Sequence, residues 1–251
     1  MSVSPQDGGR VTEVKDRRIG RSLVLAAGSD SALVLEDGFR YTISGWDEAF
    51  PSLEPDGDVP TLGYAIRGRA ECWIENERLV SVWTVPGWHA VRRIEARGGT
   101  LFADYGFRNE GSSPAKLLWA PHVLFPLAGL KEAVLPARGL TAGPGCHLAE
   151  LAHHATCDAG WMRISPTEPC GRSWKFFLEA EREAVLLYND CTLRIAGDTG
   201  WLGVWYNLGR VGTPCLAIEP TNFPTDLRGE VPGSLDPQGV YSARWSLSVS
   251  I

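Results

Sequence analysis

Residues 241–251 alternate without a break: Tyr241, Ala243, Trp245, Leu247, Val249 and Ile251 are apolar or aromatic, while Ser242, Arg244, Ser246, Ser248 and Ser250 are polar. A helix returns to one face only every ~3.6 residues, so a period of two describes a strand with one face buried and the other wet. The stretch from Leu101 to Arg108 repeats the design, with Leu101, Ala103, Tyr105 and Phe107 set against Asp104, Gly106 and Arg108. Shorter runs predict strands over Leu23–Ala26, Ala32–Leu35, Cys72–Ile74, Leu79–Val85, Lys116–Trp119, Trp174–Leu178, Ala184–Leu187 and Thr192–Ile195. Glu75–Asn76–Glu77, Asn109–Glu110–Gly111 and Tyr188–Asn189–Asp190 carry the turn chemistry that suits hairpins. Helical signal is confined to Cys146–Ala155, two turns at most, after the Pro- and Gly-rich stretch 136–145. Many short strands with frequent turns predict an all-β fold, one large antiparallel β-sandwich.

The 251 residues contain no internal repeat, low-complexity linker or break in composition. Residues 1–20 read as a loose, charged lead-in and 21–251 as a single β domain. A net charge of −6 argues against a nucleic-acid partner, which calls for a basic face. No run approaches the roughly 18 apolar residues that span a bilayer, which argues against a membrane partner. The opening MSVSPQDGGRVTEVKDRR has no apolar core of a secretory signal, and the six cysteines (Cys72, Cys146, Cys157, Cys170, Cys191, Cys215) form no CxxC pair. A cytoplasmic protein with reduced thiols is the expectation. The oligomeric state stays open between monomer and homodimer.

Four constellations carry candidate chemistry. Glu219 ends an apolar run just before Pro220–Thr221–Asn222, where apolar surroundings would raise a carboxyl toward working pH and suit it to general-base work. Gly45–Trp46–Asp47–Glu48–Ala49–Phe50 places two acids between two aromatics in an expected loop; this is either a binding loop or an acidic turn braced by Trp46. His122 leaves one apolar run for another, as a core histidine or as a proton carrier near neutral pH. Arg67 and Arg69 could fork onto hydroxyls, carboxylates or phosphates, or sit exposed on a loop. Ten tryptophans against two methionines suit sugar faces and β-sandwich cores alike. A metal site built from His147, His153, His154 and Cys157 lacks the spacing of a zinc motif, so no metal is expected.

Taken in order, GWDEAFPS at 45–52, RGRAECW at 67–73, NEGSSP with LLWAPHVLF through His122, SWKFFL at 173–178, LGVWYNLG at 202–209 and AIEPTNFPTD at 217–226 resemble the aldose 1-epimerase, or galactose mutarotase-like, family. The resemblance spans roughly residues 20–250. It implies a β-supersandwich, a hexose as small-molecule partner, no cofactor, and interconversion of α and β anomers by acid–base ring opening. By position it makes Glu219 the base and His122 the acid, with Trp46, Asp47, Arg67 and Lys175 contacting substrate hydroxyls. Many members carry a further histidine upstream, where this chain has Leu62. That departure keeps a non-catalytic carbohydrate-binding or sensing protein open as the alternative, and a phosphorylated hexose as a variant substrate.

Overall fold

The computed structural model describes residues 1–28, 31–143, 146–181 and 183–251. The described residues build two large antiparallel sheets, of eight and ten strands, and a two-stranded ribbon. The eight-stranded sheet contains, side by side, Trp46–Ala49, Ala120–Pro126, Cys215–Thr221, Trp201–Leu208 and Arg172–Glu179. In the ten-stranded sheet Val240–Ser250 lies between Thr192–Gly197 and Thr100–Asn109.

Alternation assigns the faces. Along Ala120–Pro126, Val123 and Phe125 enter the core with Ile218, Val204 and Phe176 from neighbouring strands. They meet Trp83, Phe107, Leu193, Trp245 and Leu247 of the opposite sheet in one continuous cluster. Trp46 and Trp245 join the layers edge to face, with centroids 4.7 Å apart. His122, Leu124, Ala217, Glu219, Trp205, Lys175 and Phe177 carry the opposite parity and belong to the other face of the eight-stranded sheet.

Four expectations need correction. Residues 1–20 are no loose lead-in: Ser2–Ser4 and Arg10–Glu13 are strands of the eight-stranded sheet, with Val11 fully buried. The segment around Trp46 is a strand rather than a loop, because its two acids are ion-paired inside the protein. Leu23–Ala26 forms no ladder; Leu23 donates its N–H to Val14, Leu25 donates to Leu124 and accepts from Gly45. Lys116–Trp119 is not a strand either, since the Asn222 amide satisfies the Trp119 N–H and the Leu117 carbonyl in place of a neighbouring backbone. The helical stretch shrinks to one turn, Leu148–Leu151. Residues 144 and 145 of the Pro- and Gly-rich segment lie outside the described residues.

Candidate functional site

On the outward face of the eight-stranded sheet lies a cavity of about 380 Å³. Its floor includes His122, Lys175 and Trp205, delivered by three strands of that sheet. The Ala32–Val34 and Arg40–Thr42 ribbon contributes Leu33 and Tyr41, with Leu35 and Ile43 beside them. Leu53, Glu54, Thr61 and Leu62 come from the loop that follows Trp46–Ala49, and Asp226 from the loop after Cys215–Thr221. The walls are therefore mostly apolar, and Glu54, Lys175 and Asp226 lie together at one end, with Arg210 as a further charged lining residue.

Glu219 lies beneath that end with no solvent exposure. His122 Nδ1 is 2.8 Å from its Oε1, and Lys175 Nζ donates to its Oε2. The space for this carboxylate comes from Gly203, directly across the strand pair: a Cβ there would stand 3.2 Å from Glu219 Oε2. Burial alone would raise the Glu219 pKa. The Lys175 ammonium, the His122 ring and hydrogen bonds from both overcome it and bring the value down to about 2. Glu219 is thus ionised at neutral pH and can only accept, so His122 Nδ1 carries the proton and Nε2 is the ring nitrogen left for the cavity.

The other acids behave oppositely. Asp226 is 4% exposed, and its Oδ1 stands 3.7 Å from Lys175 Nζ, too far for a hydrogen bond. Burial pushes its pKa up, opposed by Lys175 and assisted by the Glu219 charge. Glu54 is pushed up as well, by burial and then by Asp226. Lys175 pays desolvation but is held charged, its pKa raised by Glu219 and Asp226.

By sequence the chain matches no protein-family model and no curated protein. Solved structures do match along nearly the whole chain. A protein from Synechocystis sp. PCC 6803 aligns with TM-score 0.70 at 15% identity, over 99% of this chain and 90% of that one. A galactose mutarotase-like protein from Lactobacillus casei ATCC 334 aligns with TM-score 0.68 at 12% identity, over 99% and 96%. The galactose 1-epimerase of Lactobacillus acidophilus NCFM aligns with TM-score 0.63 at 12% identity, over 97% and 89%. The fold is galactose mutarotase-like.

Within this galactose mutarotase-like fold, three of the six expected site residues come together: Glu219, His122 and Lys175. The other three do not reach the cavity. Trp46 is a core residue, its Nε1 donating to Glu48. Asp47 is sealed behind the wall, where Arg10 Nε binds it at 2.8 Å and Tyr41 Oη donates to it at 2.9 Å. Its contribution is to hold Tyr41, which lines the cavity. Arg67 bridges the rim instead: it pairs with Asp37 at 2.5 Å, donates to the Thr61 and Gly63 carbonyls and lies over the Phe39 ring. Glu219 itself departs from the expected pKa, because a lysine two strands away outweighs its apolar surroundings. Leu62 stands on the cavity wall. Among the described residues no group of three or more His, Cys, Asp or Glu is placed to hold a metal ion. His154 instead bonds Thr167 and packs on Trp174. Sequence reasoning missed Tyr41, Glu54, Trp205 and Asp226; for Asp226 the available signal was its place in the same AIEPTNFPTD segment as Glu219.

Proposed function

We propose that the cavity binds a monosaccharide of the hexose class and interconverts its anomers. The observation that carries this reading is the buried Glu219–His122 pair opening on an apolar-walled cavity large enough for one sugar ring. In the reaction a base takes the proton of the anomeric hydroxyl, the C1–O1 bond becomes a carbonyl, and the C1–O5 bond breaks as an acid protonates O5. Rotation about C1–C2 and the reverse steps give the other anomer. Both transfers move protons only, so the chemistry requires no cofactor. In its doubly protonated form His122 is the acid: Nδ1–H stays bound to Glu219 and the second proton leaves from Nε2, while the Glu219 carboxylate orients the ring and balances its charge. Trp205, whose ring lies 5.7 Å from that of His122, offers a flat apolar face to the sugar.

Polarimetry of freshly dissolved α-D-glucose and α-D-galactose tests this. Wild type should accelerate the approach to equilibrium well above the spontaneous rate, and His122→Asn should lose at least ~100-fold of that acceleration. Binding of both sugars with no acceleration would refute catalysis. It would favour the second reading, a binding or sensing protein, for which Leu62 in the wall is the supporting observation.

A further inference from the structure

We propose that Arg67 is a positioning residue for the sugar, holding the ribbon wall of the cavity at a fixed distance from the loop wall that carries Leu62. The assignment rests on the sugar-binding part of the reading above and adds to it the device that shapes the site. The strands Ala32–Val34 and Arg40–Thr42 pair with each other and with neither large sheet. With the residues beside them they nevertheless supply Leu33, Leu35, Tyr41 and Ile43 to the cavity. The root of the ribbon is anchored inside the protein, where Gly45 donates its N–H to Leu25 at 2.7 Å and Tyr41 Oη donates to the buried Asp47 at 2.9 Å. Its turn is closed on itself: the Leu35 N–H donates to the Phe39 carbonyl at 2.9 Å, and the Phe39 N–H to Asp37 Oδ1 at 3.1 Å. From that turn Asp37 reaches Arg67 at 2.5 Å, the turn's only ion pair among the described residues.

The same guanidinium grips the opposite wall. Arg67 ends a short 3-10 turn, Ala65–Arg67, whose Ile66 is buried in one cluster with Tyr41 and Ile43. Its Nε donates to the Gly63 carbonyl at 3.2 Å, and a terminal nitrogen donates to the Thr61 carbonyl at 2.9 Å. These two carbonyls flank Leu62, which stands at φ 60°. A residue with a Cβ does not keep that left-handed conformation unless its surroundings hold it. Leu62 is held from three sides, since its own N–H donates to the Leu53 carbonyl at 2.6 Å. Gly63 has no room to shift, because a Cβ there would stand 1.9 Å from the Phe50 carbonyl oxygen. The remaining nitrogen of Arg67 binds Asp37, and the guanidinium plane lies 4.6 Å from the Phe39 ring centre. All three nitrogens are thus committed to the two walls, which is work that a planar fork can do and a compact ammonium cannot. The Asp37 side chain is 44% exposed, so dissolved salt reaches this pair.

The test titrates galactose and glucose by tryptophan fluorescence and follows mutarotation by polarimetry in wild type, Arg67→Ala, Arg67→Lys and Asp37→Asn. Arg67→Ala frees both walls and should raise Kd and KM ~10-fold or more while kcat stays within ~2-fold. Arg67→Lys keeps the charge opposite Asp37 but loses the grip on two carbonyls, so its Kd should lie between those of wild type and Arg67→Ala. Asp37→Asn frees the ribbon turn alone and should raise Kd ~3-fold. Raising NaCl from about 0.05 M to about 1 M should weaken wild-type binding to the level of Asp37→Asn and leave that variant unmoved, a response that general destabilisation does not give. Asp37 sits on an exposed turn, so its variant decides the matter if Arg67→Ala does not fold. Unchanged Kd in both variants, or a loss confined to kcat, overturns the assignment alone. A wild type that binds but accelerates neither sugar overturns the epimerase reading, and the Kd comparison still decides this assignment. A wild type that binds neither sugar overturns both.

Discussion

Replacing Glu219 with Gln should destabilise the protein in a way that fades as the pH falls. The Glu219 carboxyl moves from its ordinary 4.5 to about 2 on folding. At about 1.4 kcal/mol per pH unit, this corresponds to about 3 kcal/mol of preference for the ionised form in the folded state. Because the folded pKa is depressed, the stabilisation is complete above the unfolded pKa and is lost as pH falls through the folded one. Linkage gives about 3 kcal/mol at pH 5.5, about 1.5 kcal/mol at pH 3 and well under 1 kcal/mol at pH 2. Urea unfolding of wild type and Glu219→Gln at pH 5.5 and pH 3 reads the difference, and taking differences cancels the titration of the acids that Glu219 does not touch. A stability gap that stays constant over this window would mean that Lys175 and His122 do not hold Glu219 ionised.

Other outcomes follow from the same geometry. Arg92→Met should leave Glu48 without its cation inside the core, since Arg92 is fully buried and donates to Glu48 at 2.9 Å. Breaking such a pair costs about 3–5 kcal/mol, or about 6–20 °C in Tm for a chain of this size; calorimetry showing a shift under ~2 °C refutes it. Gly203→Ala should push the added methyl toward Glu219 Oε2, 3.2 Å away, lowering Tm by a few degrees and shifting the pH dependence of activity. Trp205→Phe should abolish most of the fluorescence change on galactose binding; an unchanged signal places the sugar elsewhere. Leu62→His should speed mutarotation several-fold without loss of stability, because Leu62 lines the cavity at φ 60°, a conformation His tolerates better than Leu. A polarimetric rate no higher than wild type would show that Leu62 is not what limits the chemistry.

The strands with the strongest alternation were legible because burial of one face writes itself into every second residue, as in Val240–Ser250 and Thr100–Asn109. The hairpin at Asn76–Glu77 was equally plain: both residues take positive φ. Where backbone groups are satisfied by side chains, the pattern misled, as with Asn222 standing in for a strand beside Leu117 and Trp119. The site divided the same way. His122, Glu219 and Lys175 sit on strands of one face of the eight-stranded sheet, and the resemblance of their segments to a known family, not a local pattern, proposed them. Asp47 and Glu48 read as loop acids because their partners, Arg10 and Arg92, lie 37 and 44 residues away. No local pattern reports an ion pair over that distance.

The position of Val240–Ser250 governs when this protein can fold. Of the strands in its sheet it is the last to emerge during synthesis, yet it pairs with Thr192–Gly197 on one side and Thr100–Asn109 on the other. Until it arrives, the ten-stranded sheet is two separate pieces, each with an open edge, and Trp46 of the facing sheet lacks its partner Trp245. Contacts of such long sequence separation form slowly and leave edges exposed meanwhile. The ribosome-bound chain should therefore stay sensitive to protease and dependent on chaperones until residue 250 has cleared the exit tunnel. A stop codon ahead of residue 240 should yield insoluble protein rather than a smaller sandwich.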